Sequence, residues 1–149
     1  MIARLGTADA GELMTLQRAA YVTEAQLHDD MFLPPLTEPL EDVVAAIESQ
    51  VVLGVREDGR LVGAVRARRV APGVVEIGRL AVAPDRQGHG LGSALLRAAE
   101  AAIPGVREWR LFTGEHSEAN LRLYSRLGYV ETGREDVGGH DIVHMAKRG

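Results

Sequence analysis

The chain of 149 residues contains no cysteine. Disulfide bonds, a cysteine nucleophile and a zinc site built on thiolates are therefore excluded. Aromatic residues are also scarce, with one Trp, three Tyr and two Phe. The core must accordingly be filled mainly by Leu, Val, Ala and Ile, and the few rings remain available for special positions.

Apolar stretches long enough to cross a membrane are absent, because no run of about 18 apolar residues occurs. Residues 1–11 lack the basic segment and the apolar run that mark a secreted protein. A net charge of −4, with basic and acidic residues interspersed, gives no footprint for nucleic acid. We therefore expect a cytoplasmic protein whose partners include neither nucleic acid nor a membrane.

The five histidines do not predict a metal site. His140 and His144 would share one face of a strand, but about 13 Å would separate them, which is too far to bind one ion. Hydrophobic residues make up 46% of the chain and charged residues 26%, a balance typical of a soluble globular protein. The length suits a single domain covering residues 1–149.

Hydrophobic periodicity predicts a first helix that ends near Tyr21, followed by a loop or broken helix over residues 23–39. Further helices are predicted over residues 40–47, after Gly90, and after Ser117, which would cap the last one. Asp58-Gly59 separates two apolar runs and predicts a hairpin. The predicted strands are 2–5, 51–56, 61–70, 74–82, 109–113, 129–132 and 142–146. This order implies an α/β (α+β) fold with a mixed, mostly antiparallel sheet of six to seven strands and helices on both faces.

The most informative segment is residues 86–93, which join a predicted strand to a helix. Glycines at 88, 90 and 92 remove side chains there, so several backbone N–H groups can converge on one anion at the start of the helix. Arg86 or Gln87 could add a side-chain donor to the same oxygens. Pyrophosphate is the anion that this arrangement fits best.

A glycine-rich turn between a strand and a helix is not specific to one kind of site. A mononucleotide P-loop requires a Lys that the segment lacks. A Rossmann fingerprint fits poorly, because Ser93 replaces the third Gly and antiparallel hairpins precede the loop. A purely structural role of the glycines in a tight turn stays open.

Two motifs together resemble the GNAT superfamily of N-acetyltransferases. The first is Leu80-Ala81-Val82-x-Pro84 followed by Arg86-Gln87-Gly88-x-Gly90-x-Gly92, in which Gln87, Gly90 and Gly92 fill the places of the family's acetyl-CoA signature. The second is Ser117-x-x-Asn120-x-x-Leu123-Tyr124-x-x-Leu127-Gly128-Tyr129. The similarity covers nearly the whole chain in element order, although the first 50 residues match by pattern only.

The resemblance implies acetyl-CoA as co-substrate, no metal, and a V-shaped splay between strands 74–82 and 109–113. The backbone of Leu80 and Val82 would pair with the pantetheine arm, and the N–H groups of residues 88–93 would hold the pyrophosphate. The cofactor-binding residues implied are Leu80, Ala81, Val82, Arg86, Gln87, Gly88, His89, Gly90, Leu91, Gly92, Ser93, Asn120 and Tyr124.

The resemblance also suggests two catalytic residues. An alkylamine with a pKa of about 10.4 is almost fully protonated at neutral pH, and only the neutral amine can attack an acetyl group. A general base that removes the proton therefore favours the reaction. Glu76 is the first choice, because it lies four residues before Leu80, where several members of the superfamily place their catalytic glutamate. Strand alternation would place Glu76 on one face with Gly78, Leu80 and Val82; an ordinary exposed carboxylate is the alternative. Tyr124 would protonate the departing thiolate of CoA. The alternative is that its ring only packs in the core. Fallback bases are Glu24, Asp29, Asp30 and Glu115.

The resulting hypothesis is acetyl transfer from acetyl-CoA to a primary amine of a small-molecule or peptide acceptor, by direct attack in a ternary complex. The alternative is a non-catalytic acyl-CoA-binding or sensing module of the same fold. The acceptor would be selected by residues 21–40 and by the loop before the last strand, where acidic residues favour a cationic amine. Family analogy leaves a homodimer through the last strands open.

Overall fold

A computed structural model describes all 149 residues. Seven strands form one sheet in the order β1-β2-β3-β4-β5-β7-β6. Neighbouring strands are antiparallel except β4 and β5, which are parallel. The predicted mixed, mostly antiparallel sheet is therefore confirmed. Its strands are β1 (Ile2–Arg4), β2 (Val51–Glu57), β3 (Arg60–Ala71), β4 (Val74–Val82), β5 (Glu108–Gly114), β6 (Val130–Asp136) and β7 (Asp141–Arg148).

Helices cover both faces of the sheet, as predicted. They are α1 (Ala10–His28), α2 (Pro34–Thr37), α3 (Leu40–Ser49), α4 (Leu91–Ala102) and α5 (Glu118–Arg126). On one face, Gln17 of α1 accepts a hydrogen bond of 3.1 Å from Arg66 of β3. On the other, the side chain of Leu95 in α4 fills the space beside Gly63 of β3. None of the helices combines the length and the apolar character that a membrane span requires.

The predicted end of the first helix near Tyr21 is wrong, because α1 continues to His28. Residues 22–28 contain neither Gly nor Pro, and Ala25 and His28 bury their side chains, so tertiary packing extends the helix beyond its clear periodicity. Asp29, in the left-handed conformation with φ 48°, ends it. The broken helix expected after it is present as the single turn α2.

The turn between β2 and β3 consists of Asp58 and Gly59, with φ values of 52° and 81°. Two successive residues with positive φ suit the right-handed twist of the paired strands. The predicted hairpin is therefore confirmed.

The parallel strands β4 and β5 pair only at one end, through residues 74–76 and 108–110. Beyond this short ladder the strands separate, which confirms the predicted V-shaped splay. The N–H of Ala83 donates to Val62 of β3 at 2.8 Å. Because backbone groups of successive residues point to opposite edges of a strand, the N–H of Val82 points into the splay.

A β-bulge interrupts β4 at the splay. Gly78 pairs with Arg66 and Ala81 pairs with Ala64, so two residues of β4 oppose the single Val65. The first of these two residues, Arg79, has a left-handed backbone with φ 51°. The bulge shifts the alternation of side chains along the strand.

The predicted shared face of Glu76, Gly78, Leu80 and Val82 is consequently wrong. Glu76 and Gly78 pair with Arg68 and Arg66 and lie on the α1 face of the sheet. Leu80 approaches Gly92 of α4, and Val82 pairs with Gly63 beneath Leu95, so both lie on the opposite face.

Candidate active site

Two adjoining cavities open where β4 and β5 separate. The first, here called the loop groove, has a volume of about 370 Å³ and runs along residues 86–93. The second, here called the α1 cavity, has a volume of about 360 Å³ and lies between α1, the loop around α2, and the sheet. Tyr21, Glu24 and Asn120 line both, so the two cavities meet at these residues.

The loop before α4 presents an uninterrupted row of free donors. None of the seven backbone N–H groups from Gln87 to Ser93 forms a backbone hydrogen bond. Gly88 and Gly90 have φ values of 79° and 81°, which residues with a Cβ rarely adopt. The positive end of the α4 dipole lies at the same place. This arrangement can bind a diphosphate through its backbone alone.

Most of the residues predicted to bind a cofactor line the loop groove. They are Leu80, Val82, Arg86, Gln87, Gly88, Gly90, Leu91, Gly92, Ser93 and Asn120. Ala81 is buried with its side chain on the α1 face, and His89 is exposed; neither lines the groove. Tyr124 lines the α1 cavity instead.

The two side chains expected to help the loop are already engaged. Arg86 donates to both carboxylate oxygens of Glu57, at 2.6 and 2.5 Å. Gln87 donates a long hydrogen bond of 3.4 Å to the carbonyl of Val82. The free donors of the loop are therefore its backbone groups.

Two basic residues of the groove were missed from the sequence. Arg122 and Arg126 lie one turn apart on α5 and line the groove opposite the loop. Arg122 is exposed and only weakly paired with Glu118, at 3.9 Å. Their i, i+4 spacing on the predicted helix was the available signal. Both can attract an anionic ligand to the groove.

Tyr124 projects from α5 into the α1 cavity and is 5% exposed. Its ring lies edge-on to Tyr129, with 6.2 Å between the centroids. The hydroxyl forms no hydrogen bond within the protein. Burial, followed by the nearby Tyr21 and Glu24, raises the pKa of Tyr124 well above its ordinary value of 10. The phenol therefore keeps its proton.

Glu76 lines the same cavity from β4, so the structure brings both predicted catalytic residues together. Its carboxylate accepts a hydrogen bond of 3.1 Å from Arg68 on the adjacent strand. Among the fallback bases, Glu24 lines the cavity, whereas Asp29, Asp30 and Glu115 do not.

Ser117 does not cap α5 with its side chain, contrary to expectation. Its hydroxyl donates instead to the carboxylate of Glu24. Helix capping is a local interaction, whereas this contact joins residues far apart in sequence and leaves no local signal. The contact ties Glu24 to the start of α5, beside the point where the two cavities meet.

The sequence model of the acetyltransferase (GNAT) family matches residues 20–129, which include the loop, Glu76 and Tyr124. The chain belongs to this family. The match covers well over half of the chain.

Individual proteins resemble this GNAT chain in sequence. S-(2-succino)cysteine N-acetyltransferase of Bacillus subtilis (strain 168) is 30% identical over 161 aligned positions, covering 94% of this chain and 90% of the relative. UPF0157 protein YqkA of the same organism is 28% identical over 120 residues, or 80% of this chain. The chain spans only 34% of the length of YqkA.

The fold is also found in solved structures. The crystal structure of PaiA N-acetyltransferase from Thermoplasma acidophilum, in complex with coenzyme A, superimposes with a TM-score of 0.80. Its sequence is 21% identical, and the match covers 100% of this chain and 98% of that chain. The two proteins therefore share the GNAT fold.

Proposed function

We propose that this GNAT protein transfers an acetyl group from acetyl-CoA to a primary amine of a small-molecule or peptide acceptor, within a ternary complex. The observation that carries the proposal is the row of seven free N–H groups in a groove that adjoins the cavity lined by Tyr124 and Glu76. The relative named S-(2-succino)cysteine N-acetyltransferase supports an amine as the acceptor.

The residues of the loop groove fit acetyl-CoA. The N–H groups of residues 87–93 would hold its pyrophosphate, and Arg122 and Arg126 would attract its phosphates from the facing helix. The backbone of Leu80 and Val82 faces the splay and would pair with the pantetheine arm as an added strand does. His89 lies outside the groove and would contribute its backbone N–H only, whereas the backbone of Ala81 pairs with Ala64 of β3 and would not contact the cofactor.

Two side chains would handle the protons of the reaction. Bound acetyl-CoA would supply a thioester as the acyl donor. The carboxylate of Glu76 would remove a proton from the acceptor nitrogen, directly or through a water molecule. The hydroxyl of Tyr124, kept protonated by burial, would donate a proton to the departing sulfur. Asn120 lies where the cavities meet and would orient the acyl end of the cofactor.

The proposal is tested by incubating the protein with acetyl-CoA and mixed amines, amino acids and short peptides. Thiol release is followed photometrically, and mass spectrometry detects products heavier by one acetyl group. We expect thiol release that depends on an amine, with a matching N-acetylated product. Binding of acetyl-CoA without any amine-dependent release would contradict the proposal and favour a non-catalytic binding module.

A further inference from the structure

We propose that the acceptor carries a carboxylate close to its amine, as an α-amino acid does, and that Arg79 binds this carboxylate. The inference rests on the proposed function and adds the chemical class of the substrate. It begins from a cationic group in the α1 cavity that the protein itself leaves without hydrogen bonds.

The guanidinium of Arg79 lines the α1 cavity and donates no hydrogen bond to the protein. Its Nε is buried and has no partner. The nearest acidic atom is Oε2 of Glu38, and the distance of 3.7 Å to Nη2 is too long for a hydrogen bond. Leaving a charged donor unsatisfied in a half-buried place is costly, so a ligand that accepts from it gains binding energy.

Glu38 does not satisfy Arg79 because other donors already occupy its carboxylate. Arg66 donates to both oxygens, at 2.7 and 3.0 Å, and Gln17 donates to one of them at 3.1 Å. Burial alone would raise the pKa of Glu38, but these hydrogen bonds and the charges of Arg66 and Arg79 lower it below its ordinary value. The guanidinium groups of Arg66 and Arg79 thus share the one carboxylate of Glu38, and Arg79 is the one left without a hydrogen bond to it.

The backbone of Arg79 strengthens the inference. A backbone with φ 51° is strained for a residue that has a Cβ, and glycine is the usual choice there. The bulge nevertheless holds an arginine, directed toward Glu38 on the α1 face. Strain of this kind at a cavity wall is characteristic of binding sites.

The carboxylates of the cavity suit the amine of such an acceptor. Glu24 and Glu76 line it together with Tyr124, and both can accept hydrogen bonds from an ammonium or amine group. Arg79 supplies the complementary cation. A single planar guanidinium matches a carboxylate through two parallel hydrogen bonds, whereas it compensates a doubly charged phosphate poorly. An amino carboxylate therefore fits the charges better than a simple cationic amine.

The test compares amino acids and dipeptides, each supplied as the free acid and as the matched carboxamide. We expect the kcat/KM of the wild-type protein to be at least about tenfold higher for the acid. In Arg79→Gln, the KM for the acid should rise by about 10- to 100-fold, while the KM for the amide and kcat change little. Arg79→Lys should restore part of the difference, since it keeps the charge.

Arg69→Gln is the matched control, because Arg69 is exposed and bonds the carbonyl of Pro104 away from both cavities. Thermal melting verifies that every variant is folded. Equal use of acids and amides, or an unchanged KM in Arg79→Gln, would overturn the inference, as would a chain that binds acetyl-CoA but acetylates none of the acids. Failure to bind acetyl-CoA at all would instead count against the proposed function.

Discussion

The backbone N–H of His116 donates a hydrogen bond of 3.0 Å to Nε2 of the buried His28, so the end of α1 is joined to the loop before α5. The other ring nitrogen of His28 bonds the carbonyl of Glu24 at 2.9 Å. Because Nε2 accepts from His116, Nδ1 is the nitrogen that donates to the carbonyl of Glu24. The imidazole thereby fixes two elements that line the α1 cavity.

This arrangement predicts strong coupling between His28 and Gly114. A Cβ at Gly114 would collide with the His28 ring, so Gly114→Ala should destabilise the protein by about 1–3 kcal/mol. His28→Ala should cost about 2 kcal/mol through the lost acceptor. The double variant should be more stable than the sum of the two effects implies, by about 1 kcal/mol or more.

Urea unfolding of the four proteins measures this coupling. Gly133→Ala is the matched control, since nothing lies within 4 Å of a Cβ added there and its φ is not positive. A cost for Gly114→Ala no greater than that for Gly133→Ala, or strict additivity with His28→Ala, would contradict the contact.

The role of Tyr124 as a proton donor predicts a selective loss of turnover. In Tyr124→Phe, kcat should fall by about 10²-fold or more, whereas the Kd for acetyl-CoA should stay nearly unchanged because Tyr124 lines the α1 cavity and not the groove. Tyr129→Phe is the control, since that hydroxyl donates to Glu100 outside both cavities. Full activity of Tyr124→Phe would assign the ring a packing role only.

Much of the fold followed from patterns that are local in sequence. The Asp58-Gly59 turn and the glycine loop depend on φ values that few residues adopt, and continuous apolar runs flank the turn. The bulge at Arg79 has no such signal, because it arises from one extra residue in the pairing of β4 with β3. The bulge also explains why a simple alternation rule placed Leu80 and Val82 on the wrong face.

The candidate site likewise combines features that have a local sequence pattern with features that have none. Its glycines and Tyr124 belong to motifs and were predicted, whereas Arg122 and Arg126 were missed because phosphate contacts from a helix surface require only a charge at a suitable place. The contacts of Glu24 with Ser117 and of His28 with His116 join residues about 90 positions apart. Such pairs depend on tertiary packing and leave no local pattern in the sequence.

The general base proposed at Glu76 predicts a pH-dependent defect. Glu76→Gln should lower kcat/KM by about 10²-fold at pH 7. The defect should shrink as the pH approaches about 10, where more of the acceptor amine is already neutral in solution. Glu108→Gln is the control, because Glu108 pairs with Arg110 at the closed end of the splay. A defect of constant size across this pH range would contradict the role of Glu76.

The ion pair of Glu38 predicts how stability changes with pH. Because the folded protein holds the pKa of Glu38 below the ordinary value of 4.5, its stabilisation is complete above that pH and is lost as the pH falls through the folded pKa. Glu38→Gln should therefore cost about 3 kcal/mol at pH 7 and clearly less at pH 3.5.

Urea unfolding at both pH values gives the difference in the free energy of unfolding between wild type and variant at each pH. Glu48→Gln, a change at an exposed and unpaired position of α3, serves as the control and should have little effect at either pH. A cost for Glu38→Gln that grows on acidification would show that the sign of this linkage is wrong.

The binding of acetyl-CoA by the loop is the central claim, and isothermal titration of the protein with acetyl-CoA tests it most directly. Gly90→Glu introduces a negative charge and an unfavourable φ at the start of α4, and Gly138→Glu makes the same change in the distant β6–β7 turn, where φ is 89°. We predict micromolar binding to the wild type and to Gly138→Glu, and none to Gly90→Glu. No binding to the wild type, or equal binding to Gly90→Glu, would contradict the account and return the glycines to a structural role.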